Sequence, residues 1–281
     1  MNNIFNIKRF GLVFRKEYME NWKRYMMYFF TMFGIMTVVI TWQTITHYDI
    51  VEKGLSSSFN FNININKQLL QSLSLMFFVF WMIFASTCMT PMSSKFKRIS
   101  YLVIPSSNFE KYLSRWIIVT VAYIILFFIA LWVADVIRVV ICSVRYNNID
   151  VMFIDFTKLI YTGEELRFPD YLYDKKTFTF ALSICVLLQS ICILGSTFWE
   201  KSTFIKTFVA GALIVLAYTL FYRWTVILFY GNLNVFGEIL ESSFNKDKVF
   251  MFMSCMLCIF TLTNWILAFF RFCESEITKR L

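Results

Sequence analysis

Long blocks rich in Phe, Ile, Leu, Val and Met alternate along the chain with short polar breaks. Each block approaches the ~20 apolar residues that a helix needs to cross a ~30 Å hydrocarbon layer. Six blocks are predicted as spans, at about 25–42, 69–89, 116–137, 178–198, 203–222 and 249–270. Within a bilayer every backbone N–H and C=O must find its partner inside the segment, so each block is predicted to be helical. The expected fold class is therefore an all-α integral membrane protein with six transmembrane helices.

The stretch before the first block has another rhythm. Ile7, Phe10, Phe14, Tyr18 and Trp22 recur at steps of three and four, while Lys8, Arg15, Lys16 and Lys23 gather elsewhere on the wheel. Asn2 to Arg24 is thus predicted as an amphipathic helix in the membrane interface, aromatic side chains under the headgroups and basic ones toward cytoplasm and anionic lipid. A plain lipid anchor would carry the same pattern. The charged region is long, the next block is of spanning length and no small-x-small site follows, which argues against a cleavable signal.

The breaks differ in character. Gln43 to Lys67 reads as an outer loop containing His47, the only histidine, and the alternation from Asn60 to Asn66 fits an edge strand or nothing regular. Val139 to Lys176 is the longest outer segment; its balanced charges and its apolar patches at 151–154 and 159–161 predict a small folded cap. Trp199 to Ser202 is a tight cytoplasmic turn, from which Lys206 can snorkel back. Beyond Arg223, residues 224–236 read either as a shallow re-entrant element or as an extension of the fifth helix, and 272–281 as a cytoplasmic tail.

One break is organised differently. Between the second and third spans, Phe84 to Trp116 carries Lys95, Lys97, Arg98, Lys111 and Arg115 against the single acid Glu110. Five basic residues against one place this loop in the cytoplasm by the positive-inside rule. A short helix or turn is predicted from Ser93 to Ile104, then a break at Pro105. A second helix should begin at about Ser107 and run on into the third span, since Ser106, Ser107 and Asn108 precede Glu110 in the order of an N-cap followed by an acidic first turn.

The sequence Ile104, Pro105, Ser106, Ser107, then Glu110 and Lys111, resembles the loop between the second and third spans of ABC-2-type transporter permeases, where Leu-Pro-x-Ser is followed by a Glu-Lys or similar pair. Ile stands here where Leu is usual. The layout of six spans with both ends inside is similar to that family over nearly the full length. The resemblance implies that the loop, with Lys95, Lys97, Arg98, Pro105, Ser106, Glu110 and Lys111, and the first helix, with Arg15 and Lys16, dock a separate cytoplasmic ATPase. It further implies a homo- or heterodimer of permease chains, a re-entrant element between spans five and six, and residence in the inner membrane. In that reading, opposite charges at Glu110 and Lys111 weaken ATPase coupling. A solvated basic loop kept for topology alone would look the same.

Composition agrees with the pattern. The chain is 58% hydrophobic with 34 Phe and only 16% charged residues, where a soluble domain has about a quarter. Its net charge of +9 falls on the predicted cytoplasmic segments, the outer segments being balanced. That is orientation and attraction to anionic lipid, not a nucleic-acid site. The seven cysteines mostly fall inside spans; even Cys255 and Cys258, with metal-like spacing, are expected as packed thiols, so no metal or cofactor is expected. Asp135 and Arg138, three apart near the outer end of the third span, are expected as a structural ion pair able to reach the interface.

Catalytic chemistry is missing from the sequence. There is no GxxxxGK[ST] loop, no HExxH and no GxSxG, so the chain is not expected to be an enzyme, and ATP-driven work needs a partner. With few carboxylates in the spans, ion coupling is poorly supported. The expected function is the permease subunit of an ATP-driven exporter for a hydrophobic or amphipathic substrate. The competing expectation is a non-transporting membrane scaffold or sensor that binds a partner through its outer loops.

Overall fold

The computed structural model describes residues 5–52, 61–92, 94–146, 151, 153–154, 175–199, 202–230 and 246–274. Among them the chain is all-helical, and six helical segments are long and apolar enough to cross a membrane, which makes this a multi-pass membrane protein. In chain order the helices are α1 (Ile7–Glu52), α2 (Phe61–Ala85), α3 (Lys95–Leu102), α4 (Asn108–Ile117), α5 (Tyr123–Arg145), α6 (Lys175–Phe198), α7 (Thr203–Tyr230) and α8 (Lys246–Glu274). A 3₁₀ turn at Thr90–Met92 precedes α3, and one π-helical stretch, Ile118–Ala122, joins α4 to α5.

The chain divides into two compact units. The first comprises Met1–Phe84 and Ser106–Tyr173, the second Ala85–Pro105 and Asp174–Leu281. In the first unit α1 runs unbroken for 46 residues, about 69 Å at the helical rise, with no boundary between Arg24 and Tyr25. Its buried positions, Val13, Glu17, Tyr25, Met32, Met36, Ile40, Thr44 and Tyr48, return mostly at steps of four and seven. That stripe packs along α4 and α5. Arg9 meets Glu110 at one end and Tyr48 meets Tyr146 at the other, so α1 and the α4–α5 helix run parallel, as first and third spans must.

Large rings attach α2 to this pair. Phe77 stands edge-on to Phe127 at 4.9 Å, and Phe84 reaches Tyr123 at 5.6 Å and Tyr25 at 6.0 Å. At the far end of α2, Ser72 donates to Gln43 Oε1 at 2.9 Å and Gln68 contacts His47. These bonds fall in what the sequence predicts as a loop: α1 continues helical through Glu52, and 61–66 is the start of α2 rather than an edge strand. A lone strand would leave both rows of its backbone groups unpaired, whereas a helix satisfies them internally.

In the second unit α6 lies against both α7 and α8. Asn264 of α8 donates to Ser190 Oγ of α6 at 3.0 Å. Gly195 of α6 touches α7 so closely that a Cβ there would stand 2.1 Å from Thr207 Oγ1 and 2.9 Å from Thr207 Cβ. Ser202, in the turn between these helices, has φ 54°, the left-handed conformation that tight reversals use. Most of α7 and α8 is exposed apolar surface, Phe208, Leu213, Leu216, Phe252 and Phe260 among it. Lipid covers such faces at no cost. Most of the expected outer cap, part of 224–236 and nearly all of the tail lie outside the described residues.

Candidate functional site

The loop between the second and third spans is where the sequence concentrates its charge, and it folds as two helices that belong to different units. Ser94 opens α3 from an extended conformation, φ −138° and ψ 150°, its side chain accepting from Lys97 N. This satisfies one of the unpaired amides of a helix start. Along α3, Phe96, Ile99 and Val103 are exposed by 84, 54 and 75%. Their i, i+3, i+7 spacing puts them on one face, with Lys97 exposed beside them. The opposite face is held: the Tyr101 ring stands edge-on to Phe272 of α8 at 6.2 Å, and Arg98 donates to the Met92 carbonyl at 3.4 Å. A short helix clamped on one side thus presents an apolar face on the other.

The second helix of the loop is tied inward. Ser107 and Glu110 form a capping box, each side chain bonding the other residue's backbone N–H at 3.2 Å. Glu110 also accepts from Arg9 Nε at 2.7 Å, Arg9 Nη2 at 2.8 Å and Asn6 N at 2.8 Å. Four donors around one buried carboxylate hold it ionised and fix the start of α1 to the start of α4. A turn further on, Arg115 makes a buried ion pair with Glu17, and its Nη1 donates to the Tyr25 hydroxyl at 3.4 Å.

The predicted docking residues are therefore distributed. Lys95 is the first residue of α3; Lys97 is exposed and Arg98 half-buried; Pro105 is exposed where the units divide, and Ser106 is half-buried after it. Glu110 and Lys111 are buried. On α1, Arg15 is exposed and Lys16 lies 3.5 Å from Glu20. Reversing the charges of Glu110 and Lys111 would therefore also break the joining of α1 to α4. Apolar Phe96, Ile99 and Val103, unmarked by the sequence reading, carry the outward face instead.

A second polar cluster closes the other end of the first unit. Arg138 Nε lies 2.7 Å from Asp135 Oδ1, both side chains 1% exposed, and Asp135 Oδ2 accepts from Ile154 N at 2.9 Å. The pair is enclosed rather than reaching the interface. Beside it Tyr146 donates to Asp49, and Arg145 reaches the same carboxylate at 3.3 Å. From Arg115 to Asp135 the helix rises about 30 Å, the thickness of a hydrocarbon core, so the two buried ion pairs bracket the apolar interior.

Two cavities open between helices. One of about 280 Å³ lies between α1, α2 and α5, walled by Tyr25, Tyr28, Phe29, Phe84, Tyr123 and Leu126 among others. Tyr123, which directly follows the π-helical stretch, stands in its α5 wall and donates its hydroxyl to the Phe77 carbonyl at 2.8 Å. The other, about 440 Å³, lies between α6 and α8, with Ser183, Cys255 and Cys258 on its wall. Cys255 and Cys258 are exposed rather than packed, which costs a thiol little on a lipid-facing surface. All seven cysteines are free thiols, and no cluster of three metal-ligating side chains forms among the described residues.

Sequence reasoning missed Arg9, Glu17, Tyr25 and the Tyr48–Asp49–Tyr146 group. Their partners lie about a hundred residues away, and no local spacing marks such pairs. No family model matches the chain, and no curated protein or solved structure matches it either.

Proposed function

We propose that this chain is the membrane-spanning permease subunit of an ATP-driven exporter, non-catalytic itself and powered by a separate cytoplasmic ATPase. The observation that carries the reading is the face of α3: Phe96, Ile99 and Val103 turned outward on an eight-residue helix in a basic loop. An apolar patch beside cations on a cytoplasmic loop suits a groove on a soluble partner. Force applied there has a route into the spans, because Tyr101 packs on Phe272 near the end of α8.

In this reading both chain ends lie in the cytoplasm of an inner-membrane protein, and the first turns of α1, with Arg15 and Lys16, lie at the interface beside the docked ATPase. The outer cap covers the far side, and two permease chains make the path. ATPase closure pushes on α3 and rocks the spans so that a hydrophobic or amphipathic substrate leaves outward.

The test is purification of the tagged chain in mild detergent, with mass spectrometry of what accompanies it, beside the variants Phe96→Asp and Val103→Asp. A stoichiometric ATPase with wild type, lost from either variant while its elution profile is unchanged, supports the reading. A wild-type chain that emerges alone, or an ATPase retained equally by the variants, overturns it.

A further inference from the structure

The cavity between α1, α2 and α5 has a cation one helical turn from its wall. Tyr28 and Thr31 line it, and Arg24 precedes them on α1 at the i, i+4, i+7 spacing that places all three on one helix face. Arg24 is the last charged residue before the apolar run of α1, and it lies one helical turn before Tyr28 of the cavity wall. Tyr25 to Met32 covers about 10 Å of helix rise along that wall. Neither the Arg24 guanidinium nor the Tyr28 hydroxyl makes a hydrogen bond or ion pair among the described residues. The other polar groups nearby are engaged: Tyr25 takes a bond from Arg115, Tyr123 donates to Phe77 O, and Thr31 donates to Met27 O.

We propose that this cavity binds one acyl chain of an anionic phospholipid, with the phosphate on Arg24 and Tyr28. The chemistry is divided along the ligand. Rings and aliphatic side chains from three helices enclose the hydrocarbon, which gains packing contacts that loose lipid does not offer. A guanidinium pairs with a phosphate through two directed bonds, and the free phenol supplies a third donor. A zwitterionic lipid brings an ammonium that competes for the same phosphate, so the site discriminates by headgroup charge. The π-helical stretch Ile118–Ala122 ends next to Tyr123 of that wall; such stretches recur near functional sites.

The proposal stands apart from the ATP-driven reading, since its readout needs no ATPase. The full chain in mild detergent is given equimolar dioleoylphosphatidylglycerol and dioleoylphosphatidylcholine, and retained lipid is read by native mass spectrometry. Phosphatidylglycerol is expected in about tenfold preference, the worth of a charge-assisted pair. Arg24→Gln should erase the preference and leave lipid bound, and Leu126→Trp or Ile83→Phe should remove both lipids with the elution profile unchanged. Equal retention of the two lipids by wild type, or undiminished binding in the filled variants, overturns the proposal. Should both filled variants fail to fold, a phosphatidylglycerol with a mid-chain diazirine decides on wild type alone. Crosslinks within 25–32, 80–84 and 123–126 support the site, and crosslinks confined elsewhere overturn it.

Discussion

Arg9 and Glu110 meet at two points, Nε on Oε2 at 2.7 Å and Nη2 on Oε1 at 2.8 Å, across a separation of 101 residues. The same carboxylate completes the capping box of α4 and accepts the backbone N–H of Asn6. A residue that the sequence marks as a candidate contact for another protein is thus a joint within this one. The consequence for the permease reading is specific: a push on the loop that moved α4 would carry the start of α1 with it, because one side chain holds both.

The neighbouring pair, Glu17 with Arg115, is buried on both sides, whereas the Arg9 side chain is 37% exposed. Leaving one member of a buried pair alone costs about 3–5 kcal/mol, while replacing both with apolar residues is often neutral. Glu17→Gln is therefore expected to lower the melting temperature in detergent more than Arg9→Gln does, and Glu17→Leu with Arg115→Met should recover most of the loss. A double variant as unstable as the single one would show that the ions themselves are required.

Asp135 joins two things, the Arg138 guanidinium and the backbone of Ile154. Asp135→Leu takes the carboxylate away from a buried guanidinium and from an amide together, an expected loss of about 3–5 kcal/mol. Adding Arg138→Met should return the part due to the cation. What remains measures the Ile154 bond, expected at about 1 kcal/mol. Thermal unfolding of the three variants beside wild type separates the two.

The legible part of this fold is the part that local physics decides. The apolar block around Ile124 to Val133 admits only a helix, because in lipid its backbone groups must be satisfied within the segment, and Ser107 with Glu110 marks the start of α4 within one residue. The Asn60–Asn66 alternation misleads because a period of two describes a strand only where another strand stands beside it. Pairings such as Arg9 with Glu110 are illegible for a related reason: an acid in a first turn looks the same whether a distant guanidinium or a partner protein receives it. The apolar face of α3 escapes notice because Phe96, Ile99 and Val103 in isolation read as ordinary helix interior.

Gly195 packs against Thr207 with no room for a methyl group, the nearest contact falling on a β-branched side chain that has little freedom to turn away. Gly195→Ala must push α6 and α7 apart, at an expected cost of about 1–3 kcal/mol. Removing the obstacle tests the cause. Thr207→Gly in the Gly195→Ala background should recover stability beyond the sum of the separate effects, and strict additivity in thermal unfolding would place the cost elsewhere.

Gln189 is fully buried in α6, and neither its amide oxygen nor its amide nitrogen has a hydrogen-bond partner among the described residues. One residue on, Ser190 receives the side-chain N–H of Asn264, so the same helix offers a satisfied comparison. An unpaired buried polar group costs about 1–3 kcal/mol, and water is scarce at that depth in a membrane. Leucine has nearly the same bulk and no polar atom. Gln189→Leu is therefore expected to raise stability by about 1–3 kcal/mol, whereas Asn264→Leu should lower it by about 1 kcal/mol, the worth of an interhelical bond in a membrane. A Gln189→Leu variant that melts below wild type would mean that the amide is satisfied in the assembled protein by a group outside the described residues. Its position between Leu188 and Ser190 would then mark where that group arrives.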